Sequence, residues 1–136
     1  MILEVTEVEH YTDSLFRIRT ERPRSFRFTA GEFTMIGIPD TNITRAYSFT
    51  NGPGDDYLEF YSIKVPNGPL TSKLQHIKEG DSLEVKERTS GTLTMANIEL
   101  GGNLWMFATG TGIAPFVSIL RDPDTYNNFD TVNVAW

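Results

Sequence analysis

The hydropathy pattern changes period near Gly101-Gly102, and no other feature limits the fold of this chain as much. Before that point apolar and polar residues alternate over short runs. After it, Asn103-Leu104-Trp105-Met106-Phe107-Ala108 is a continuous apolar run. Alternation suits a strand with one face in a core, and a continuous run suits a strand covered on both faces. The chain is therefore expected to build two kinds of sheet, with a domain boundary at residues 98–102.

The alternating part divides into six strands separated by turn signals. Ile2–Glu9 alternates loosely. Leu15–Thr20 alternates more cleanly, with Phe16 and Ile18 predicted inward and the arginines outward. Phe26, Phe28 and Phe33 bracket a bend at Ala30-Gly31, and Phe33–Ile38 runs to Pro39-Asp40. Residues 45–50 form the next strand. Leu58–Val65 reads as the longest and as central, because it is apolar on both faces. Leu70, Leu74 and Ile77 have helical spacing, which predicts one short helix stopping near Gly80, and Ser82–Lys86 closes the set. This pattern predicts an antiparallel barrel or sandwich. In the second part, a turn at Thr109-Gly110-Thr111-Gly112 leads into a helix over Ala114–Leu120, ended by Asp122-Pro123, and a strand over Thr131–Trp136. That order is one βαβ unit.

With 136 residues and 39% hydrophobic content, the chain is sized for one domain plus a small appendage. A net charge of −6 argues against nonspecific nucleic-acid binding, and no apolar run is long enough to span a membrane. No signal-peptide pattern opens the chain, and there is no Cys for disulfides, thiolate metal ligation or nucleophilic catalysis; a cytoplasmic protein fits. His10 and His76 are isolated, so no metal site is expected. Arg17, Arg19, Arg22, Arg24 and Arg27 crowd into eleven positions. They read either as solvated strand and loop residues or as a basic surface for an acidic partner.

Three stretches carry phosphate-type chemistry. In Arg45-Ala46-Tyr47-Ser48, alternation puts Arg45 and Tyr47 on one face. A guanidinium there can fork onto a phosphate while the phenol lies against a flat ring, and Ser48 adds a small donor and acceptor. Alone, the tetrapeptide is weak evidence and reads more simply as a strand with one exposed Arg and one half-buried Tyr. In Asn67-Gly68-Pro69-Leu70-Thr71-Ser72, Gly68 permits close backbone approach and Pro69 suits a first helical position. The amides of Leu70, Thr71 and Ser72 would then face an anion, unless this is only a capped helix. Thr109-Gly110-Thr111-Gly112 follows a buried strand and opens a helix, which is the context for nucleotide contact, although Pro115 stands where a dinucleotide fingerprint has its third Gly.

Together these stretches resemble the ferredoxin (or flavodoxin)–NADP reductase family, especially its bacterial branch. The resemblance runs from about Leu15 to the end. Its further carriers are Phe26-Arg27-Phe28 with Gly31-Glu32-Phe33, Tyr61-Ser62-Ile63-Lys64-Val65, Gly91-Thr92-Leu93 and the continuation Ile113-Ala114-Pro115-Phe116. It implies a six-stranded antiparallel Greek-key barrel with one short helix over residues 1–100, binding FAD, followed by a partial α/β (βαβ) unit over residues 101–136. It implies that Arg45 holds the FAD pyrophosphate with the Leu70–Ser72 amides and that Tyr47 stacks on the isoalloxazine. Ser48 would hydrogen-bond near N5, where hydride arrives, which makes Ser48 and Tyr47 the catalytic pair. Ala46, Ser62, Ile63, Lys64, Val65 and Gly68 would line the flavin site. Thr109, Gly110, Thr111 and Gly112 would meet the nicotinamide end of NADP(H) or NAD(H).

The family's second domain normally continues through several more strands and helices, including the positions that read the adenosine 2′-phosphate. The expected activity is electron transfer between a nicotinamide nucleotide and a one-electron carrier, ferredoxin or flavodoxin, with little discrimination between NADPH and NADH. The alternatives are an FAD-holding module that needs a partner chain and a fragment without an independent role. A two-stranded parallel unit leaves apolar faces and edges open. It must pack on its own barrel, pair with a second copy or recruit a partner; a homodimer is the favoured expectation. Trp136 reads as a core residue of the last strand or as an aromatic cover for the flavin.

Overall fold

A computed structural model describes residues 1–136. Six strands, β1 (Ile2–His10), β2 (Leu15–Glu21), β3 (Phe33–Gly37), β4 (Thr44–Ser48), β5 (Tyr57–Ile63) and β6 (Ser82–Val85), form one antiparallel sheet. Their order is β4-β3-β6-β1-β2-β5. The two ends of that order meet. Phe49 bridges Phe60, the Thr50 N–H donates to Glu59 O at 2.9 Å, and the Tyr47 hydroxyl shares a 2.9 Å hydrogen bond with Ser62 Oγ. The sheet thereby becomes a barrel, which leaves no long unpaired edge. Strand β5 stands at one end of the order and is central only through this closure, and β1 rather than β5 is the longest strand.

Alternation fills the barrel. Leu3, Val5, Phe16, Ile18, Leu58, Phe60, Leu83 and Val85 are buried in one cluster. Phe49 anchors it, stacked on Phe28 at 4.1 Å between centroids and tilted against Phe60 at 5.3 Å. Helix α1 (Thr71–Leu74) is a single turn, shorter than the apolar spacing predicted. Leu70, Leu74 and Ile77 nevertheless all enter the core, because the chain continues in tight turns, with Ile77 N–H donating to Leu74 O. At the bend before β3, Gly31 has φ +97°, and a Cβ there would lie 1.8 Å from Leu93 O. The segment that follows β6 crosses so close that only glycine fits.

The outer face of β1, β2 and β5 departs from expectation. Arg17 and Arg19 do point out of the barrel, but Arg17 is buried. Antiparallel register sets Glu9 beside Arg17, and Glu7 and Glu59 beside Arg19. Arg17 pairs with Glu7, with Glu9 at 2.8 Å and with Glu59 at 3.3 Å; Arg19 Nε reaches Glu59 at 2.6 Å. Arg22 and Arg27 are spent on backbone carbonyls. Four of the five clustered arginines are therefore engaged within the chain.

Strands β7 (Asn103–Phe107) and β8 (Thr131–Ala135) pair in parallel, with α2 (Ala114–Leu120) and α3 (Pro123–Asn128) between them. Helix α3 was not anticipated. The same Asp122-Pro123 that ends α2 starts it, with Asp122 accepting from the Asp124 N–H and Pro123 at the first position. One face of the pair is covered: Met106, Ile119 and Ala30 of the barrel side form a small core with Leu104, Phe116 and Val132. The other face is open, with Trp105 and Phe107 exposed and stacked at 5.9 Å. Trp136 is 75% exposed and is no core residue; its indole donates to Gly110 O. No helix is long and apolar enough to cross a membrane.

Glu59 is wholly buried, and Arg121, just after α2, reaches it at 2.6 Å. Burial works to raise its pKa, but hydrogen bonds from Thr50, Arg19 and Arg121 outweigh that and hold the carboxyl below its ordinary value. Its stabilisation is therefore complete above about pH 5 and is lost as the pH falls through the folded pKa. Glu59→Gln is expected to cost about 3–5 kcal/mol near neutral pH, the scale of breaking a buried ion pair. It should also flatten the acid limb of the stability profile. Urea unfolding between pH 3 and 7, on the order of one titration range, checks both.

Candidate functional site

The barrel and the βαβ unit enclose a cavity of about 410 Å3. One wall is Arg45, Ala46, Tyr47 and Ser48 on β4. A second is Tyr61, Ser62 and Ile63 at the end of β5, and the third is Thr111, Gly112, Ala114 and Pro115. Both faces of β4 contribute, because this strand sits at the seam of the barrel with no hydrogen-bonded strand beyond it except at Phe49.

Each wall has a local cause. Tyr47 is half-buried against the core, and its hydroxyl is tied to buried Ser62, which fixes the ring. Burial raises the Tyr47 pKa, with the Ser62 hydrogen bond and the Arg45 charge acting against it, so the phenol stays neutral near pH 7. Arg45 is exposed, and one Nη1 contact to Thr44 O, at 2.8 Å, is its only hydrogen bond. Most of its donor fork is free for an anion. The expected turn is a short 3-10 turn over Gly110–Ile113, and Gly112 has no atom within 4 Å of its would-be Cβ. A planar group can approach the backbone there.

Eight of the sequence-predicted residues thus meet in one cavity: Arg45, Ala46, Tyr47, Ser48, Ser62, Ile63, Thr111 and Gly112. The others do not line it. Lys64 gives its N–H to Ser14 O at 2.7 Å, Leu70 is buried in the core, and the Thr71 hydroxyl turns back to Val65 O. Of the three amides expected to face an anion, that of Ser72 already donates to Gly68 O at 3.1 Å, while those of Leu70 and Thr71 have no partner within the chain. Gly68 is packed tightly, since a Cβ would come 2.3 Å from Thr71 Oγ1. Val65 and Thr109 lie outside the cavity. Gly110 instead borders an adjoining apolar cleft with Tyr11, Leu15, Val117 and Trp136. Ala114 and Pro115, which the sequence marks only as motif residues, also form wall. The start of α2 brings them there, and the hold of its far end on the barrel has no local sequence signal.

The donor set fits FAD: an exposed guanidinium, a fixed neutral aromatic ring and a small hydroxyl in a cavity open at a glycine. The comparisons agree. Residues 2–93 match the oxidoreductase FAD-binding domain model, and the chain belongs to that family. It is 51% identical over 133 residues to ferredoxin–NADP reductase A of Sorangium cellulosum, covering 96% of this chain and 48% of that relative. It is 53% identical over 131 residues to the flavodoxin/ferredoxin–NADP reductase of Rhodobacter capsulatus, covering 94% and 48%. Among solved structures, a ferredoxin NADP+ reductase from Neisseria gonorrhoeae with bound FAD and NADP superposes with a TM-score of 0.92 at 34% identity, over 98% of this chain and 55% of that one. The chain spans about half the length of these relatives.

Tyr47→Phe removes the bond to Ser62 and leaves that buried hydroxyl short of a partner. It is expected to lower stability by about 0.5–1.5 kcal/mol, with no change in fold. Denaturant midpoints of the two proteins, with circular dichroism as a control, check this.

Proposed function

We propose that this chain binds FAD across the seam of its barrel and acts as the flavin-holding part of a reductase that passes electrons between a nicotinamide nucleotide and ferredoxin or flavodoxin. The observation that carries this reading is the single cavity that gathers Arg45–Ser48, Ser62–Ile63 and Thr111–Gly112. The relatives' names, ferredoxin–NADP and flavodoxin/ferredoxin–NADP reductase, support the choice of partners. In this reading the chain divides into a flavin-binding part, residues 1–100, and a partial nucleotide-binding part, residues 101–136. A cytoplasmic location fits the absence of Cys.

Bound FAD would supply the means to couple two-electron and one-electron carriers. The chain's own residues bind and orient it. Arg45 would hold the pyrophosphate through its free donor fork, and the Leu70 and Thr71 amides, outside the cavity, would be further donors. Tyr47, fixed by Ser62, offers a neutral ring for stacking. Ser48 would offer a hydroxyl to the ring's edge, and Thr111 with Gly112 would border the space for a nicotinamide.

The purified chain is expected to be yellow or to take up FAD with a rise in melting temperature. Arg45→Ala should weaken FAD binding by about 1.5–3 kcal/mol, the size of a lost charge-assisted hydrogen bond. Ser48→Ala should keep FAD bound but slow its reduction by nicotinamide nucleotide. Flavin fluorescence titration and stopped-flow absorbance read these effects. A colourless chain whose melting temperature ignores FAD overturns the reading.

The open face of β7 and β8 supports a second proposal, pairing with another copy of the chain. Trp105 and Phe107 lie exposed there, and a two-stranded sheet leaves edges free for backbone pairing. Light scattering should show a mass that rises with concentration, and truncation after Glu99 should abolish the rise. A strict monomer overturns the pairing.

A further inference from the structure

Helix α2 contributes one wall of the cavity at its start, through Ala114 and Pro115, and is held to the barrel at its end. The hold is polar. Ser118 Oγ donates to Asn51 O at 2.7 Å. Arg121 Nη1 donates to Thr50 O at 3.1 Å and to Glu59 Oε1 at 2.6 Å. The backbone also comes close, since a Cβ on Gly52 would lie 2.7 Å from Arg121 O. Thr50, Asn51 and Gly52 follow β4 after Phe49, and β4 carries the opposite wall, Arg45–Ser48. One contact thus grips the chain run that forms one wall and the helix that forms the other.

Charge explains why Arg121 stands at this place. The outer face of β1, β2 and β5 presents three carboxylates, Glu7, Glu9 and Glu59. The barrel supplies two guanidiniums, Arg17 and Arg19, and both reach Glu59 through Oε2. Glu59 Oε1 receives Thr50 Oγ1 from the barrel at 2.6 Å, and its only charged partner is Arg121. The cluster is balanced, three against three, only when α2 is docked. Removing Arg121 leaves a wholly buried carboxylate in a cluster one positive charge short.

We propose that Arg121 is a positioning residue: by completing the charge balance around Glu59 it fixes α2 on the barrel and sets the separation between Arg45–Ser48 and Thr111–Pro115. Arg121 touches neither wall's ligand-facing atoms and acts through the helix. Its effect on nucleotide binding rests on the reading of the cavity given above.

The test uses the full chain as wild type, Arg121→Met, Arg121→Lys, Glu59→Gln and the Glu59→Gln/Arg121→Met pair. Hydrogen exchange of residues 110–120 should speed up about tenfold or more in Arg121→Met, a factor equal to a loss of 1.4 kcal/mol in local opening. Exchange in β1 and β2 should stay as in wild type, and Arg121→Lys should lie between. The double variant should melt above the value that the two single changes predict by addition, because two carboxylates then face two guanidiniums. A plain packing contact would show neither the rescue by Lys nor the non-additive melting. FAD affinity should follow the exchange rates, weakening in Arg121→Met and recovering in part in Arg121→Lys. Unchanged exchange over residues 110–120, or additive melting temperatures, overturns the proposal. Failure of the wild type to take up FAD overturns the flavin reading, and the exchange and melting data then decide the helix's anchoring by themselves.

Discussion

A carboxylate with no exposure to solvent, Glu59, receives hydrogen bonds from three arginines drawn from two parts of the chain. An isolated charge in such a place would be too costly to keep, so its partners are obligatory. Arg17 and Arg19 come from β2, and register brings them beside it. The same register sends Phe16 and Ile18 into the barrel. A slip of one residue would put the arginines in the core and the apolar side chains under the carboxylates. Core packing and charge pairing therefore select one pairing of β2 with β5, and each makes the alternatives of the other unfavourable.

That pairing determines where the cavity lies. Strand β5 closes the barrel against Phe49, and the closure sets Tyr47 beside Ser62. The next residues, Thr50 and Asn51, carry the carbonyls that receive Arg121 and Ser118. A seam in a closed sheet is the one place where a strand presents both faces of its end to another element. The cavity residues of β4 sit at this seam, where Arg45, Tyr47 and Ser48 can all be reached from outside. The βαβ unit docks at the same place, so the cavity is a consequence of closure and not an independent feature.

The sequence made the strands, the change of sheet type and the β4 wall legible, since each depends on local period or on adjacent residue types. Phe16 and Ile18 sit inward, and β7 and β8 pair in parallel, as their patterns indicate. The burial of Arg17 could not be read, because its partners are carboxylates eight, ten and forty-two residues away. Alternation reports which side of a strand faces the core, but not whether the far side meets water. The length of α1 was missed for a related reason. Apolar spacing of three and four is satisfied by tight turns as well as by a helix, and the core contacts of Leu70, Leu74 and Ile77 are the same in both. Helix α3 had a local signal in Asp122-Pro123, which was read only as a stop.

The open face of β7 and β8 shows what a pattern demands when the chain does not meet it. Leu104, Met106 and Val132 are covered by α2 and Ala30, as a half-buried sheet requires. Trp105 and Phe107 lie on the opposite side with their rings stacked on each other, which hides part of each from water and leaves most of both exposed. Two large aromatics on a face meant for water would be an unusual choice, since polar residues there would cost nothing in packing. Continuous apolarity is the composition of a strand covered twice. The second cover is therefore encoded in β7 even though the packing of these residues supplies only the first, and the stacked pair marks where that cover has to seat.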